Sequence, residues 1–293
     1  MIWITGSNGM LATILQQHFI AQHMPFIATS HEECDISDFA KVEAFYTEHN
    51  PTIIINCAAF TDVDKANRQQ LQALLNNTIS VRNLALIAKP LQTRIIHFST
   101  DYVFNGQTKK AYSEEDLPSP INFYGYTKKL SESILKPYPN MVIIRLSWLY
   151  SLEKGFPTIL LNKAHASSFL HVVQDEVGTP TFIPQIIEPM MQLISSDCTG
   201  IYHCASEGYV SRLEFATTLF QFAEKYQVIN TLPIVKSLTA QNYRDIHPTA
   251  VPRPTFSALE STKIKESLNI PSLGTWQDHL EAFILQYREY QRS

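Results

Sequence analysis

The stretch MIWITGSNGMLA, residues 1–12, contains the pattern that decides the fold. Its first residues are rich in the β-branched and aromatic side chains typical of strands, and Leu11 begins an apolar repeat with helical spacing. Gly6 and Gly9 lie between the two segments. Glycines in such a turn let the backbone approach a phosphate group, and the free N–H groups of the helix start favour its charge. The stretch therefore predicts a phosphate-binding βα unit.

Strand and helix patterns alternate through the first half of the chain. Strand patterns occur in MIWIT, PFIAT, PTIIINCAA, TRIIHFST and NMVIIRLSW, and helical patterns separate them. This alternation predicts a doubly wound parallel sheet, the Rossmann-type α/β fold. We expect residues 1–147 to form an NAD(P)-binding domain and residues 148–293 a smaller α/β domain that mainly binds substrate. Some later segments, such as FLHVV (169–173), are expected to return to the Rossmann sheet.

The composition excludes several kinds of protein. The net charge of −4 is atypical of a nucleic-acid binder, which usually has a basic face. The four cysteines form no CxxC pair and the ten histidines include no HExxH, so no zinc site is expected. No apolar run reaches the roughly 18 residues of a membrane span, and the N-terminus lacks the charged region of a signal peptide. We predict a cytoplasmic protein without nucleic-acid or membrane partners.

The residues after the second strand bear on the choice of nicotinamide cofactor. NAD-specific sheets usually hold an acid at the end of this strand, where it binds the ribose 2′-OH. Here Ser30 and His31 occupy the place, and both tolerate a 2′-phosphate. This favours NADPH, with NADH as an alternative. Asp35 and Ile36 follow and are expected to flank the adenine.

The segment YGYTK, residues 124–128, places a tyrosine four residues before a lysine on a predicted helix. Residues at this spacing are neighbours on one helix face, so the Lys128 ammonium is expected to lower the pKa of Tyr124. A tyrosine tuned in this way can pass a proton to a carbonyl oxygen. The alternative is a pair of exposed helix residues, which is common.

A second pair of polar residues supports the catalytic interpretation of Tyr124. Ser99 and Thr100 end the strand pattern TRIIHFST. Doubly wound sheets bind their ligands beyond the carboxyl ends of the strands, so a hydroxyl there can bond the same carbonyl oxygen as Tyr124. The alternative role of these hydroxyls is to cap the next turn. Arg253, between two prolines, is a candidate for binding the nucleoside or the diphosphate part of a ligand, because a guanidinium matches phosphate oxygens in pairs. The alternative is a surface arginine.

Six motifs together carry a resemblance to the extended short-chain dehydrogenase/reductases, over essentially the whole chain. Within that family the chain resembles the branch that reduces dTDP-4-dehydrorhamnose. Of the six motifs, RLSWLY best distinguishes this branch from the rest of the superfamily, because most epimerases and dehydratases carry asparagine where Trp148 stands. The motifs are NCAAFTDVDKA (56–66), STDYVFNG (99–106), YGYTK (124–128), RLSWLY (145–150), DEVGTPT (175–181) and RPTFSAL (253–259).

The resemblance implies an oxidoreductase of dTDP-rhamnose biosynthesis, which supplies a precursor of cell-surface polysaccharide. Hydride passes from NADPH or NADH to the 4-keto carbon of dTDP-4-dehydro-L-rhamnose and gives dTDP-L-rhamnose. Tyr124 is the implied proton donor, Lys128 holds the nicotinamide ribose, and Thr100 bonds the substrate carbonyl. The residues expected to bind the dTDP-sugar are Thr61, Val63, Thr100, Asp101, Tyr124, Trp148 and Arg253. Those expected to bind the cofactor are Gly6, Ser7, Asn8, Gly9, Met10, Leu11, Ser30, His31, Asp35, Ile36, Ala58, Ala59, Phe60, Thr61, Phe98, Ser99, Tyr124 and Lys128.

Two alternatives stay open at this point. The chain can reduce another nucleotide-4-keto-6-deoxysugar, or it can be a non-catalytic, NADP-binding regulatory subunit that resembles the methionine adenosyltransferase beta subunit. The intact Thr100, Tyr124 and Lys128 favour catalysis. The chain departs from the family at Ala12 and Ser131, where glycine is usual. Some relatives are homodimers bridged by Mg²⁺, but no carboxylate cluster in this sequence supports such a site, and no metal ligand is predicted.

Overall fold

The computed structural model describes residues 1–166 and 169–292. The chain forms two compact units and crosses between them several times. Unit 1 comprises Met1–Phe104, Leu117–Arg145 and Pro189–Tyr202. Unit 2 comprises Asn105–Asp116, Leu146–Glu188 and the chain from His203 onward. The assignment of cofactor to one domain and substrate to the other stays a prediction.

The described residues contain twelve strands and twelve α-helices. The strands are β1 (Ile2–Thr5), β2 (Phe26–Thr29), β3 (Ile53–Asn56), β4 (Arg94–Thr100), β5 (Met141–Leu146), β6 (Leu149–Tyr150), β7 (Phe169–Val173), β8 (Val177–Gly178), β9 (Thr181–Phe182), β10 (Gly200–His203), β11 (Val210–Ser211) and β12 (Ile234–Leu238). The helices are α1 (Met10–Ala21), α2 (Phe39–His49), α3 (Val63–Arg68), α4 (Gln70–Leu74), α5 (Ser80–Ala88), α6 (Phe123–Leu135), α7 (Phe156–Ala166), α8 (Ile183–Ser195), α9 (Arg212–Lys225), α10 (Ala240–Ile246), α11 (Thr262–Leu268) and α12 (Trp276–Tyr290).

A six-stranded sheet in the order β10-β5-β4-β3-β1-β2 forms the centre of unit 1. β1 runs parallel to both β2 and β3, and β3 runs parallel to β4. The chain therefore winds outward in both directions from β1, and the predicted doubly wound parallel sheet is confirmed. Such sheets bind ligands where the strand order reverses, beyond the carboxyl ends of the strands. The glycine turn after β1 lies at this place.

The core of unit 1 explains why its strands are nearly continuous apolar runs. Trp3, Ile54, Ile95 and Ile143 lie on four different strands of the sheet and are fully buried. Helices cover both faces of a doubly wound sheet, so its strands lose the polar alternation of a half-exposed strand. The Trp3 indole N–H donates to the Thr29 hydroxyl at 3.0 Å, so the buried polar atom is satisfied.

The helical segment that follows α3 is interrupted in the structure. α4 ends at Leu74, a π-helical turn spans Leu75–Ile79, and α5 follows. Single π-helical turns re-aim side chains and often occur at functional sites. Here Asn77 accepts a hydrogen bond from the Phe60 N–H at 2.7 Å and donates to the Thr127 hydroxyl at 2.9 Å. The turn thus ties the loop after β3 to helix α6.

Helix α6 begins with a cap and a close backbone approach. The Asn122 side chain accepts a hydrogen bond from the Gly125 N–H at 2.9 Å. A Cβ atom on Gly125 would lie 2.0 Å from the Tyr102 carbonyl oxygen, so only glycine fits between the helix and the turn after β4. The glycine of YGYTK therefore sets the distance between Tyr124 and the end of β4.

Unit 2 contains three two-stranded sheets, which pair β11 with β8, β12 with β7 and β6 with β9. The expected return of FLHVV to the main sheet is wrong, because β7 pairs in parallel with β12. The central strands of a doubly wound sheet are buried on both faces. His171 on β7 and most of β12 are solvent-accessible, so these strands do not meet that condition. Helix α12 buries one apolar face, at Trp276, Leu280, Phe283, Ile284 and Tyr287.

Within the described ranges, no helix is both long and apolar enough to cross a lipid bilayer.

Replacing Gly125 by alanine should destabilise the protein. The added methyl group meets a backbone carbonyl that cannot move without displacing the end of β4, and overpacking of this kind costs about 1–3 kcal/mol. Urea unfolding measures the effect. Ser133→Ala, at an exposed position of the same helix, is the control and should change stability little. Equal stability of Gly125→Ala and the wild type would contradict the close approach.

Candidate active site

The glycine turn after β1 borders a cavity of about 410 Å³ in unit 1. Gly6 has a φ of +70°, and a Cβ atom there would lie 2.6 Å from the Ala58 Cα, so this position requires glycine. Gly9 caps α1 without a side chain. A bare backbone at a strand-to-helix turn is the arrangement that binds a pyrophosphate. The predicted cofactor residues that line the cavity are Gly6, Asn8, Gly9, Ser30, His31, Ile36, Ala58, Ala59 and Phe60.

The other predicted cofactor residues lie at several places in unit 1. Ser7, Met10 and Leu11 belong to the glycine turn and the first turn of α1. The Asp35 carboxylate accepts hydrogen bonds from the backbone and hydroxyl of Ser37, at 2.9 and 2.7 Å. Thr61 follows Phe60, before α3 begins at Val63. Phe98 and Ser99 end β4, and Tyr124 and Lys128 lie on α6. These roles in cofactor binding stay predictions.

The cavity has one acidic residue that the sequence patterns missed. Glu32 lines it beside Ser30 and His31, and the Ser30 hydroxyl donates to the Glu32 carboxylate at 3.4 Å. The prediction concerned the immediate end of the second strand, where Ser30 and His31 lie, and it did not consider the next residue, Glu32. The turn after β2 brings Glu32 back to the cavity, since the Ser30 N–H bonds the Glu33 carboxylate at 2.7 Å. The adjacent glutamates at positions 32 and 33 were the sequence signal that an acidic side chain lies close to the end of β2.

Further lining residues come from segments far apart in the sequence. Cys34 and Cys57 follow β2 and β3, Gln72 lies on α4, and Asn76 lies on the π-helical turn. Gln72 and Asn76 are linked, because the Asn76 amide donates to the Gln72 carbonyl at 2.9 Å. A helix pattern alone does not predict them, because the π-helical turn changes which side chains face the cavity.

Thr100 and Tyr124 are brought together beyond the carboxyl end of β4. Thr100 and Asp101 are buried, and the Thr100 hydroxyl donates to the Asp101 carboxylate at 2.9 Å. Burial raises the pKa of Tyr124 above its usual value, Asp101 and Tyr102 raise it further, and a hydrogen bond with Thr100 lowers it. The predicted lowering of this pKa by Lys128 is therefore wrong. Tyr124 keeps its proton at neutral pH.

Lys128 is buried beneath α6 and contacts β4. Its Nζ donates to the Phe98 carbonyl oxygen at 2.6 Å and lies 3.2 Å from the His97 Nε2. Burial lowers the pKa of Lys128 to about 8, against the opposite effects of Glu132 and Cys57. Desolvation therefore favours the neutral form of each side chain: it holds the proton on Tyr124 and makes the Lys128 proton easier to lose.

Unit 2 has a larger cavity, of about 760 Å³, lined by both apolar and charged side chains. Arg212, Arg253 and Lys163 are its cations, and aromatic rings such as Phe156 and Tyr243 also line it. Arg212 pairs with the Glu176 carboxylate at 2.6 Å and stacks over the Trp148 ring, 4.1 Å from its centroid.

Trp148 has an unusual backbone conformation. Its φ is +41°, and it lies between β5, the strand predicted in NMVIIRLSW, which ends at Leu146, and β6, which begins at Leu149. The indole packs directly on Gly178, where a Cβ atom would lie 2.3 Å from the ring. Left-handed backbone at a bulky residue is uncommon and persists where surrounding contacts enforce it. The ring is thus fixed between Gly178 and Arg212.

Comparison with known proteins places these features in a family. The family model described as the RmlD substrate binding domain matches residues 1–289. The chain belongs to this family. The predicted resemblance to the dTDP-4-dehydrorhamnose reductases, as a branch of the extended short-chain dehydrogenase/reductases, is confirmed.

Individual relatives of this RmlD-family chain carry related names. A dTDP-4-dehydrorhamnose reductase of Aggregatibacter actinomycetemcomitans is 32% identical, over 95% of this chain and 96% of the relative. A dTDP-4-keto-6-deoxy-D-glucose reductase of Streptomyces niveus is 32% identical, over 74% of this chain and 77% of the relative. The crystal structure of a dTDP-4-dehydrorhamnose reductase from Bacillus anthracis in complex with NADP has a TM-score of 0.89 and 28% identity, and it covers 97% of this chain and 98% of that chain.

Among residues 1–166 and 169–292 of this RmlD-family chain, no group of three or more His, Cys, Asp or Glu side chains is arranged to hold a metal ion.

A buried ion pair holds the candidate catalytic helix on the sheet of unit 1. Glu132 on α6 accepts two hydrogen bonds from Arg145 on β5, at 2.9 and 2.7 Å. The Ser99 hydroxyl donates to the same carboxylate at 2.5 Å. The Arg145 guanidinium also lies over the Phe104 ring, 5.0 Å from its centroid. The pair therefore joins α6, β4 and β5 one helical turn below Lys128.

Removing one member of this pair should cost more than removing both. Arg145→Met leaves the Glu132 carboxylate buried without its cation, which typically costs about 3–5 kcal/mol of stability. The double variant Glu132→Gln/Arg145→Met should recover part of that loss. Urea unfolding measures both, and Lys225→Met, which breaks an exposed pair, is the control. A single variant as stable as the double variant would contradict this role.

Proposed function

We propose that this protein reduces the 4-keto group of dTDP-4-dehydro-L-rhamnose with NADPH and forms dTDP-L-rhamnose. The observation that carries the proposal is the juxtaposition of a protonated Tyr124 with the Thr100 hydroxyl at the carboxyl end of β4. Both hydroxyls can donate to one carbonyl oxygen, which is what the reduction of a ketone requires. The relatives named as reductases of dTDP-4-keto sugars support the substrate class.

The cavity beside the glycine turn fits a nicotinamide dinucleotide. Its bare backbone at Gly6 and Gly9 suits the pyrophosphate, and Ile36, Ala58 and Ala59 offer apolar walls. When bound, the cofactor supplies the hydride. Ser30 and His31 would lie near the adenosine ribose, and Lys128 would hold the nicotinamide ribose. The relative crystallised with NADP supports NADPH as the cofactor.

The proposed proton transfer starts at the Tyr124 hydroxyl. As negative charge develops on the carbonyl oxygen, Thr100 and Tyr124 stabilise it by hydrogen bonds that a buried site strengthens. Tyr124 then gives its proton to the oxygen and becomes a tyrosinate. Lys128, whose pKa is about 8, carries a proton near neutral pH and stabilises this anion by its positive charge. In the structure the single Thr100 proton goes to Asp101, so this hydroxyl would turn from the carboxylate to the carbonyl oxygen when the substrate binds.

The cavity of unit 2 is the proposed site of the nucleotide part of the substrate. Arg253 and Arg212 would neutralise the diphosphate, and the aromatic side chains would pack on the thymine. The predicted contacts of Trp148, Thr61 and Val63 with the sugar stay predictions. A cytoplasmic location and a homodimer accord with this proposal and stay predictions.

The function is tested with two substrates. The purified protein is incubated with dTDP-4-dehydro-L-rhamnose or with dTDP-4-keto-6-deoxy-D-glucose, and NADPH absorbance and product NMR are followed. Oxidation of NADPH with formation of dTDP-L-rhamnose is expected with the first compound. If the enzyme turns over only dTDP-4-keto-6-deoxy-D-glucose, that compound replaces dTDP-4-dehydro-L-rhamnose as the proposed substrate. Tight cofactor binding without turnover of either would favour the regulatory-subunit alternative.

Replacing Tyr124 by phenylalanine should lower kcat by about 10²–10⁴-fold, because the reaction loses its proton donor. The affinity for NADPH should change little, since the ring remains. Tyr126→Phe is the matched control, because Tyr126 lies exposed on the same helix and should keep full activity. Steady-state kinetics and a fluorescence titration of NADPH give the two measurements. A Tyr124→Phe enzyme with unchanged kcat would show that another group donates the proton.

Glu32 should weaken the binding of NADPH relative to NADH, because its carboxylate repels a 2′-phosphate near Ser30 and His31. Glu32→Gln is expected to improve the Kd for NADPH by about threefold, with little change for NADH. Fluorescence titrations at low and high salt measure both constants, and salt should reduce the difference. Glu33→Gln is the control, since the Glu33 carboxylate bonds the Ser30 backbone instead. An equal change for both cofactors would contradict this repulsion.

A further inference from the structure

A buried histidine lies directly beneath Lys128. His97 on β4 is 1% exposed, and its two ring nitrogens contact three polar side chains. Nδ1 lies 3.1 Å from the Asn56 amide nitrogen. Nε2 lies 2.9 Å from the Ser131 hydroxyl and 3.2 Å from the Lys128 Nζ. Burial and the neighbouring lysine hold the pKa of His97 well below its usual value, so the ring is neutral and carries one proton.

Asn56 determines which ring nitrogen carries that proton. The Asn56 amide oxygen accepts hydrogen bonds from the Thr5 hydroxyl at 2.7 Å and from the Ala58 N–H at 3.2 Å. Its NH₂ group must therefore face His97 and donate to Nδ1. Nδ1 is the acceptor, so the proton lies on Nε2.

Ser131 leads independently to the same tautomer. Its hydroxyl donates its single proton to the Lys128 carbonyl oxygen at 2.7 Å. The same oxygen can then only accept from His97, which requires a proton on Nε2. Two neighbours on opposite sides of the ring thus select the Nε2–H form.

We propose that His97 is a positioning residue that sets the charge state of Lys128, because its ring presents an N–H and not a lone pair to the lysine Nζ. A neutral amine can accept a hydrogen bond from this N–H, whereas an ammonium group cannot. The contact therefore favours the uncharged lysine. Ser131 moderates the effect, because it draws the same N–H away from Nζ.

The other groups that act on Lys128 do not account for this preference. Glu132, on the same helix, and the Cys57 thiol, after β3, both favour the charged lysine. The Phe98 carbonyl on β4 accepts from Nζ at 2.6 Å and also favours the charge. Arg145 on β5 is paired with Glu132, and Asp101 acts on Tyr124. Burial of Nζ opposes the charge, and among the described neighbours named above we infer that the His97 N–H adds to this effect.

The consequence for turnover rests on the proposed function. A lysine that releases its proton readily can help to return a proton to the Tyr124 tyrosinate after each reduction. The effect of His97 on Lys128 itself is independent of any substrate and is measured without one.

Three variants separate hydrogen bonding from packing. His97→Asn keeps an acceptor for Asn56 but removes the N–H at Nε2, so the pKa of Lys128 should rise by about one unit. Ser131→Ala leaves Lys128 as the one remaining acceptor that we identify for that N–H, so the pKa should fall. His97→Gln returns an amide N–H to the position of Nε2 and should restore a value near that of the wild type, about 8.

The measurement is a ¹³C NMR titration of lysine-labelled full-length protein, in which Lys128→Met assigns the resonance. Unfolding curves and NADPH affinity confirm that each variant folds. Opposite shifts in His97→Asn and Ser131→Ala support the inference. Water that enters an enlarged cavity would raise the pKa in both variants, so shifts of the same sign overturn it, and so does the absence of any shift.

A pH profile of kcat/KM then connects the effect to the reaction. The alkaline limb should move with the pKa of Lys128, up in His97→Asn and down in Ser131→Ala. A limb that stays in place while the NMR titration shifts supports the inference about His97 and overturns the proposed role of Lys128. An NMR titration that does not shift overturns the inference even if the enzyme is fully active.

Discussion

The buried pair between Glu132 and Arg145 is the interaction on which the candidate site depends. A charged pair removed from water is stable only when its geometry is good and its remaining atoms are satisfied. Here two hydrogen bonds join the partners, and Ser99 satisfies the carboxylate from a third element. The pair is therefore specific for one arrangement of α6 on the sheet of unit 1. Tyr124 and Lys128 inherit their positions from that arrangement.

Burial acts on these two residues in opposite directions. Removal from water disfavours the charged form of any group, so the tyrosine holds its proton more firmly and the lysine less firmly. A reductase needs a donor that stays protonated until charge develops on the substrate. A nearby lysine that releases its proton readily is useful in the following step, when the tyrosinate must regain a proton. Desolvation thus shifts both pKa values in the direction that favours the neutral side chain.

The close approach of α6 to the end of β4 depends on small or polar residues at particular points. Gly125 permits the backbone contact, and Asn77 on the π-helical turn joins the helix to the loop after β3. These contacts link Phe60, which lines the candidate cofactor cavity, to the helix that carries the proposed proton donor, Tyr124. Catalytic groups must be held to a fraction of an ångström, which explains why so much buried hydrogen bonding surrounds this helix.

The sequence by itself determined the doubly wound sheet and the glycine turn, because strand and helix periods and local turns depend on near neighbours. The meeting of Thr100 with Tyr124 followed from the rule that doubly wound sheets bind ligands beyond the carboxyl ends of their strands. The sequence patterns misplaced FLHVV, missed Glu32 in the cavity and reversed the direction of the pKa shift of Tyr124. Only the tertiary structure decided these points, together with the π-helical turn at Asn77 and the contact of His97 with Lys128. Strand partners, burial and buried hydrogen bonds arise between residues distant in the chain, and no local pattern contains them.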